Sequence, residues 1–309
     1  MRSVRVGQGE RGQSEGREAL FIDLLRLMRP RHWIKNGFLL LPVPFAIAAG
    51  IEDPPQTVAI TLATGWIAFS LLCSAVYALN DVVDAERDAA HPRKKERPVA
   101  AQRLKKRDAV LVAGGLLTVS FALQMQVGVD RIQLYSLVYL GLNLFYIFKG
   151  RELVVVDVAC LSGGFLLRIL IGCALVDAAP SPWLLVCGTS VALFLALGKR
   201  RGDLLEGVGS DHRKSLEKYT LRALDRGMVL SALVSIAAYL LYSFIASPFD
   251  PDRRWLSLPF VIYGLSAHLY RSLTGVERRS PVDALIGSKD LIVALLGWLL
   301  SVTYSLKLF

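Results

Sequence analysis

Long apolar segments recur along almost the whole chain, and they constrain its fold more than any other feature. A run of about 20 apolar residues is the length that crosses a lipid bilayer as an α-helix. Pro42 and Pro44 interrupt the first of these segments, residues 36–50, because proline breaks a helix interior. The mean hydropathy of +0.45 excludes an ordinary soluble domain. The nine segments are 36–50, 57–80, 108–128, 132–149, 153–176, 181–198, 227–247, 255–274 and 290–307.

These segments predict an all-α integral membrane protein with nine transmembrane helices around a central cavity. Residues 1–19 are polar and rich in Gly and Arg, which predicts a disordered cytoplasmic tail. Residues 20–309 then form a single membrane domain. The loops 81–107 and 199–226 are long for a compact domain, which indicates ordered polar structure. We therefore expect them to form a cytoplasmic helical cap over the cavity.

Positive charge is concentrated on one side of the predicted membrane. Of the 36 Lys and Arg residues, 31 lie in alternate loops together with the N-terminal segment. Cytoplasmic loops carry such an excess, so the N-terminus and the long loops are predicted to be cytoplasmic. The net charge of +10 suits anionic headgroups or an anionic substrate. No separate basic domain exists, which argues against nucleic acid as a partner, and the sequence leaves open whether the chain forms an oligomer.

An acidic motif follows the second apolar segment. Asn80, Asp81, Asp84 and Asp88 form the pattern N-D-x-x-D-x-x-x-D. If the helix continues past the membrane, the three Asp residues fall within an arc of about 60°. Three like charges on one face repel each other, and Mg²⁺ would offset that repulsion, since it takes oxygen ligands from carboxylates and substrate phosphates. The alternative is a solvated acidic loop that caps a helix.

Basic residues lie beside this motif and in a second cluster after the sixth segment. Lys95 and Arg97 follow the acids, and Lys199, Arg200 and Asp203 lie in the second cluster. Cations next to a metal–carboxylate site suit a diphosphate. The second cluster is the more basic one, which favours a phosphate-binding role over a second metal site. The alternative is that these bases only orient the protein and contact lipid headgroups.

Polar residues at the ends of other segments complete the candidate site. Tyr146 and Lys149 share a helix face at the cytoplasmic end of the fourth segment, and Lys35 and Asn36 lie at the entrance of the first. Arg168 lies within the fifth segment. Ionisable groups at membrane depth usually face the bundle interior or a wet cavity. The alternative for Arg168, together with Asp157 at the edge of that segment, is a structural contact between helices.

Together these motifs resemble the UbiA superfamily of membrane prenyltransferases, over about residues 25–308. Further stretches resemble one branch, the decaprenyl-phosphate phosphoribosyltransferases. Prenyl-transferring relatives usually have a second Asp-rich motif where this chain is basic. Two departures are Val99-Ala100-Ala101-Gln102, where the branch usually has a Gly, and Asp203, where it usually has a longer acid. The matching stretches are R-P-R-H-W-I-K-N at 29–36, H-P-x-K-x-x-R-P-V-A at 91–100, G-F-L-L-R at 164–168, G-K-R at 198–200 and R-K-S-L-E-K-Y-T at 213–220.

The resemblance implies Mg²⁺-dependent transfer of 5-phosphoribose from phosphoribosyl diphosphate (PRPP) to a polyprenyl (decaprenyl) phosphate, releasing diphosphate, in a bacterial-type inner (plasma) membrane. That reaction would supply a precursor for cell wall arabinogalactan. The implied catalytic residues are Asp81, Asp84 and Lys199, and the implied metal ligands are Asp81, Asp84 and Asp88. The implied substrate-binding residues are Lys35, Asn36, Asn80, Lys95, Arg97, Tyr146, Lys149, Arg168, Arg200 and Asp203.

Two other functions stay open at this point. A prenyltransferase of the same superfamily would move a polyprenyl group from its diphosphate to an aromatic or other small acceptor, with the same acidic motif holding the diphosphate. A transporter would show inverted repeats and broken helices near the membrane midplane. The sequence shows no clear internal repeat beyond the two charged clusters.

Overall fold

The computed structural model describes residues 6–92, 94–205, 216–276, 284 and 287–308. These residues form α-helices joined by turns and short 3₁₀ helices, and no strand is present among them, so the predicted all-α fold is confirmed. The helices are α1 Val6–Met28, α2 Val43–Ala48, α3 Pro55–Ala89, α4 Lys106–Val127, α5 Asp130–Phe148, α6 Val156–Leu175, α7 Pro182–Leu205, α8 Leu221–Leu241, α9 Leu258–Leu273 and α10 Lys289–Ser305.

The helices follow the apolar segments closely, with one exception. The second to ninth segments each coincide with one helix, from α3 to α10. The first segment is instead a 3₁₀ helix over Pro30–Leu40 followed by the short α2, with the break at Pro42. Proline removes a backbone donor and clashes with the preceding turn, which accounts for this break.

Several helices have the length and composition needed to cross a membrane. Within the described residues these are Pro55–Ala89, Lys106–Val127, Val156–Leu175, Pro182–Leu205 and Leu221–Ala246. The last of them joins α8 to a π-helical turn over Tyr242–Ala246. A multi-pass membrane protein is therefore supported. The count of nine spans, the central cavity and the cytoplasmic cap stay predictions.

The chain divides into two compact units. The first consists of Met1–Ile34 and Ile67–Gln126, and the second of Lys35–Trp66 and Val127–Phe309. The helix α1 includes residues 6–19, for which the sequence predicts a disordered tail. The division into such a tail and one membrane domain stays a prediction.

The core of the first unit joins α1, α3, α4 and the segment that precedes α4. Small side chains on α3 bring these elements close together, since an interface of small residues lets helix backbones approach. The Ser120 hydroxyl of α4 donates to the Ala68 carbonyl of α3 at 2.7 Å. The buried cluster consists of Leu27, Ala75, Ala78, Ala85, Val99, Leu104, Ala109 and Ala113.

In the second unit, each helix from α5 to α8 packs against the next one along the chain, and α9 packs against both α8 and α10. Gly172 of α6 brings the 3₁₀ helix Pro30–Leu40 unusually close to α6. A Cβ atom at this position would lie 2.1 Å from the Leu39 carbonyl oxygen, so any larger residue would push the two elements apart. This close approach places Asn36 within reach of α6.

Candidate functional site

The acidic motif lies on the last turns of α3. This helix has 35 residues and a length of about 52 Å, which exceeds the roughly 30 Å of a hydrocarbon core. Asp81, Asp84 and Asp88 therefore share one face of a continuous helix, as the spacing predicts. Asp81 and Asp88 are buried, whereas Val83 is exposed. We call the three acids the acidic stripe.

Two arginines neutralise the acidic stripe. Arg29 donates from Nη2 to Asp81 Oδ1, and Arg97 donates from Nη1 to the same oxygen at 3.2 Å. Arg97 also donates to Asp88 Oδ2, so one guanidinium bridges acids two turns apart. Asp84 lies 3.9 Å from Arg87. Asp81 and Asp88 are thus held by cations from two other segments of the first unit, whereas the cation near Asp84 lies on α3 itself.

The geometry of the stripe fits a divalent metal through its individual carboxylates. Asp81 Oδ2 is buried and has no hydrogen-bond partner among the described residues. A buried carboxylate oxygen without a partner is costly, and a metal ion would satisfy it. The backbone rises about 10.5 Å between Asp81 and Asp88, but both carboxylates contact Arg97 Nη1, so their oxygens converge on the position of a single cation. In the described part of the chain, no three Asp, Glu, His or Cys side chains already form a metal site.

Arg29 is held in place by an unusual backbone and an aromatic ring. Its φ is +52°, in the left-handed region, where α1 ends and the 3₁₀ helix begins. Its guanidinium carbon lies 5.1 Å from the centre of the Tyr77 ring, a cation–π distance. Burial lowers the pKa of the Arg29 guanidinium from its ordinary value, against the opposing effect of Asp81. Arg29 is not one of the predicted site residues, although it lies in the R-P-R-H-W-I-K-N stretch.

The other predicted residues of the first unit lie at different positions. Asn80 is half-buried in α3, and Lys95 is exposed. Gln102 has a φ of +59°, in the left-handed region that favours glycine. It lies in the stretch where the resemblance predicts a Gly, so the departure from that pattern carries backbone strain.

A second charged cluster surrounds Arg200 of α7 in the second unit. Its Nε lies 2.7 Å from Asp157 Oδ2 of α6, and its Nη1 donates to Asp203 Oδ2 at 2.7 Å. Its Nη2 donates to the Tyr146 hydroxyl of α5 at 3.0 Å. The Tyr219 hydroxyl donates to Asp157 Oδ1 at 2.6 Å. We call these five residues the arginine hub. Tyr146, Arg200 and Asp203 were predicted as site residues, whereas Asp157 and Tyr219 were not.

The adjacent Arg201 has a structural role. Its Nε donates to Asp225 Oδ1 at 2.5 Å, and its other nitrogens donate to the Ser272 and Leu273 carbonyls. These carbonyls end α9, where a cation is favourable because the helix dipole is negative there. Basic residues next to each other in G-K-R-R thus serve different purposes.

Arg168 forms a third polar group within α6. It donates from Nε to Asn36 Oδ1 at 3.0 Å and from Nη2 to the Tyr139 hydroxyl at 3.0 Å. Its Nη1 donates to the Gly164 carbonyl at 2.8 Å. The structure therefore brings Asn36 and Arg168 together, as two of the predicted site residues, while Asp157 pairs with Arg200 instead.

The predicted lysines differ in exposure. Lys149 caps the C-terminal end of α5 and is exposed, whereas Lys35 and Lys199 are half-buried. Within the R-K-S-L-E-K-Y-T stretch, residues 213–215 lie outside the described residues. The roles of all these side chains in substrate binding or catalysis stay predictions.

A protein-family comparison decides the assignment. The model of the UbiA prenyltransferase family matches residues 38–286. This chain belongs to the UbiA prenyltransferase family. It is therefore an enzyme of a transferase family with several membrane helices.

Individual relatives agree with this assignment. A decaprenyl-phosphate phosphoribosyltransferase of Mycolicibacterium smegmatis is 30% identical over 290 residues, which covers 91% of this chain and 91% of that protein. The enzyme of the same name from Corynebacterium glutamicum is 31% identical over 283 residues and covers 89% and 84%. A UbiA homologue from Archaeoglobus fulgidus, solved with DMAPP and Mg²⁺, superposes with a TM-score of 0.71 at 14% identity. It covers 93% of this chain and 100% of that chain, and this likeness concerns the fold.

Proposed function

We propose that this enzyme transfers 5-phosphoribose from PRPP to a polyprenyl phosphate of the decaprenyl type and releases diphosphate. The observation that carries the proposal is the match to decaprenyl-phosphate phosphoribosyltransferases at about 30% identity over about nine-tenths of both chains. The basic second cluster adds support, because Lys199 and Arg200 stand where prenyl-transferring relatives usually have acids.

The acidic stripe is the proposed site of the metal and the diphosphate. Asp81, Asp84 and Asp88 would hold Mg²⁺, which supplies neutralising charge for the departing diphosphate when it is bound. Asp81 Oδ2, which is buried and has no hydrogen-bond partner in the part of the chain that the structure describes, supports this assignment. The side chains of Arg29 and Arg97 are 18% and 23% exposed, so both can also donate to phosphate oxygens.

The reaction requires little proton transfer by the side chains of the protein. The bond between the anomeric carbon and the diphosphate oxygen breaks, and its electron pair leaves with diphosphate. A phosphate oxygen of the lipid supplies the pair for the new bond to that carbon. This oxygen is already anionic, so no strong general base is required. The residues of the enzyme bind, orient and stabilise developing charge, which is the dominant form of catalysis in such transfers.

The remaining predicted residues are assigned to binding. Lys199 and Lys149 would attract phosphate oxygens, and Tyr146 and Asp203 would orient a substrate. The buried pair of Asn36 and Arg168 would also contribute, as would Lys35. We further propose that the chemistry takes place at the cytoplasmic face of a bacterial inner membrane, because PRPP is soluble and the acceptor is a lipid.

Purified protein in detergent, with Mg²⁺ and labelled PRPP, tests the proposal when decaprenyl phosphate is the acceptor. We expect label to enter the lipid phase, and we expect chelation of the metal or the substitution Asp81→Asn to abolish the transfer. Glu86→Gln is the matched control, because Glu86 lies on the exposed side of the same helix and pairs with Lys106.

A parallel reaction tests prenyl transfer. A relative named 4-hydroxybenzoate octaprenyltransferase, from Paracidovorax citrulli, is 31% identical over 135 residues, which is 44% of each chain. Labelled prenyl diphosphate and 4-hydroxybenzoate are offered to the same preparation. Prenylation of the acid without any transfer from PRPP would overturn the phosphoribosyl proposal.

A further inference from the structure

Arg200 occupies an enclosed position that is unusual for a residue expected to bind phosphate. Its side chain is 0% exposed, as is that of Asp157, whereas Asp203 is 27% exposed. Tyr146 is half-buried. The guanidinium therefore contacts protein groups, and two of them, Tyr146 and Asp203, are partly exposed. A substrate can meet Tyr146 and Asp203 without touching Arg200.

We propose that Arg200, Asp157 and Tyr219 act as a positioning unit that fixes the orientation of Tyr146 and Asp203 toward the substrate. This inference rests on the proposed function only for the identity of that substrate. It changes the assignment of Arg200 from a substrate-binding residue to a positioning residue. It also assigns a functional role to Asp157 and Tyr219, which the motifs do not identify as site residues.

The ion pair at the centre of the hub is poorly explained by stability alone. Removing two charges from water is costly, and a buried pair often stabilises the fold no more than apolar residues of similar volume would. The contact of Arg200 Nε with Asp157 is an ion pair at 2.7 Å without hydrogen-bond geometry. By contrast, Nη1 and Nη2 donate directed hydrogen bonds to Asp203 and Tyr146, and a guanidinium holds such partners at set angles. Arg200 uses that geometry to hold one group from α5 and one from its own helix.

Tyr219 closes the hub from the segment that precedes α8. Its hydroxyl donates to Asp157 Oδ1 and accepts from the Val155 backbone N–H at 2.9 Å. Burial, together with the bond to Asp157, raises the pKa of Tyr219 to about 12, so the phenol keeps its proton at physiological pH. One hydroxyl thus fixes both the carboxylate and the backbone next to it.

The backbone at Val155 gives independent support. Val155 immediately precedes α6 and has a φ of +69°, which is a genuine outlier for a β-branched residue. Such strain persists only where the surrounding structure imposes it, and it clusters at functional sites. Here the Tyr219 hydroxyl accepts a hydrogen bond from the strained residue, and Asp157 lies in the first turn of the helix that follows.

A double-mutant cycle between Tyr219→Phe and Tyr146→Phe tests the proposal. Each substitution removes one hydroxyl and retains the ring. Because misorientation affects the transition state more than ground-state binding, we expect Tyr219→Phe to lower kcat about 10-fold and to change KM for PRPP less than about 3-fold. If Tyr219 acts through Arg200, the double variant will be little slower than the slower single variant, since residues in one network are not additive.

A control cycle pairs Tyr146→Phe with Tyr270→Phe, because Tyr270 is 68% exposed and lies outside the hub. The effects of these two substitutions on kcat should multiply. Thermal unfolding of every variant in detergent shows whether it is folded. A cycle between Tyr146→Phe and Asp203→Asn probes the hub without altering Tyr219, and we expect it to be non-additive as well.

The outcomes separate this inference from the proposed function. Multiplying effects in both hub cycles, or a change confined to KM, would overturn the positioning role. If the protein transfers a prenyl group instead, the same cycles are measured on that reaction, and the proposed substrate fails while the hub is still tested. If neither reaction is observed, the affinity for PRPP with Mg²⁺, measured by calorimetry, replaces the rate. The positioning role then predicts that Tyr219→Phe lowers this affinity less than about 3-fold, and a larger loss would overturn it.

Discussion

The acidic stripe and the arginine hub use the same residue types in opposite ways. In the stripe, Asp81 is 1% exposed, but its partners Arg29 and Arg97 are 18% and 23% exposed, and one of its carboxylate oxygens has no partner among the described residues. In the hub, Asp157 and Arg200 are both 0% exposed and each has further partners, although Arg200 Nε, 2.7 Å from Asp157 Oδ2, forms no hydrogen bond among the described residues. The carboxylates of the stripe can exchange their arginine partners for other cations, whereas the ion pair of the hub cannot exchange partners without being disrupted.

This difference follows from burial and from the number of bonds each ion makes. A partly exposed arginine loses little when it moves from a carboxylate to a phosphate, because water still solvates part of it. A fully enclosed ion pair has no such alternative, and removal of one partner leaves a buried charge. The comparison therefore predicts that substitutions in the stripe change activity, and that substitutions in the hub also change stability.

The largest effect is expected for Asp81→Asn. This change removes the charge that would bind the metal while the shape of the side chain stays the same. Transfer should fall on the order of 10³-fold, since loss of one preorganised electrostatic contact has effects of this size. A radiolabel transfer assay measures the loss, with Glu86→Gln as the control at near wild-type rate. A less than 10-fold loss would mean that the stripe is not the metal site.

Asp157→Asn should have the largest effect on folding. It leaves the enclosed guanidinium of Arg200 without its carboxylate partner on α6, which should lower the free energy of unfolding by about 3–5 kcal/mol. Unfolding in detergent measures this change. The matched control is Asp290→Asn, because the Arg271–Asp290 pair is 29% exposed on both sides and should contribute about 1 kcal/mol or less. Equal losses of unfolding free energy in the two variants would contradict the expected difference between a buried and a partly exposed ion pair.

Arg97→Gln should affect the stripe in two opposite directions. Without PRPP, removal of a cation beside Asp81 and Asp88 should raise the affinity for Mn²⁺ about 10-fold, because a nearby positive charge opposes a metal ion. The affinity for PRPP should fall about 10-fold, because a charge-assisted hydrogen bond is lost.

Calorimetry measures both affinities, and Arg87→Gln serves as the control because Arg87 is 41% exposed and lies 3.9 Å from Asp84. Two changes of the same sign would contradict the idea that Arg97 exchanges between carboxylate and phosphate.

The smallest effect is expected for Gln102→Gly. Glycine adopts the left-handed φ of this position without steric cost, and the gain is partly offset by the entropy of the unfolded chain. Stability should rise by about 0.5–1 kcal/mol, while Gln102→Ala, which keeps a Cβ atom, should give no such increase. Thermal unfolding compares the two variants, and an equal response would show that the backbone strain has no energetic consequence.

Structural features that depend on local periodicity could be predicted from the sequence. The stripe was predictable because Asp81, Asp84 and Asp88 needed only a continuous helix to share a face, and α3 runs through Ala89. Pro42 and Pro44 likewise indicate the break in the first apolar segment. The predicted site residues Asn36 and Arg168 are also found in contact.

What the sequence could not predict depends on contacts between distant segments. Arg29 reaches Asp81 across 52 positions, and Tyr219 reaches Asp157 across 62. Periodicity contains no information on such pairs. Periodicity also does not distinguish Lys199, Arg200 and Arg201, because the roles of adjacent basic residues differ only through the burial and the contacts that the fold gives them.

The most direct test of the central claim is electron paramagnetic resonance of Mn²⁺ bound to the purified enzyme, recorded with and without PRPP. The account predicts that PRPP increases the amount of bound Mn²⁺, that Asp81→Asn abolishes this increase, and that Glu86→Gln retains it. Binding of Mn²⁺ with PRPP that is unchanged in Asp81→Asn would contradict the claim that the acidic stripe of α3 holds the metal.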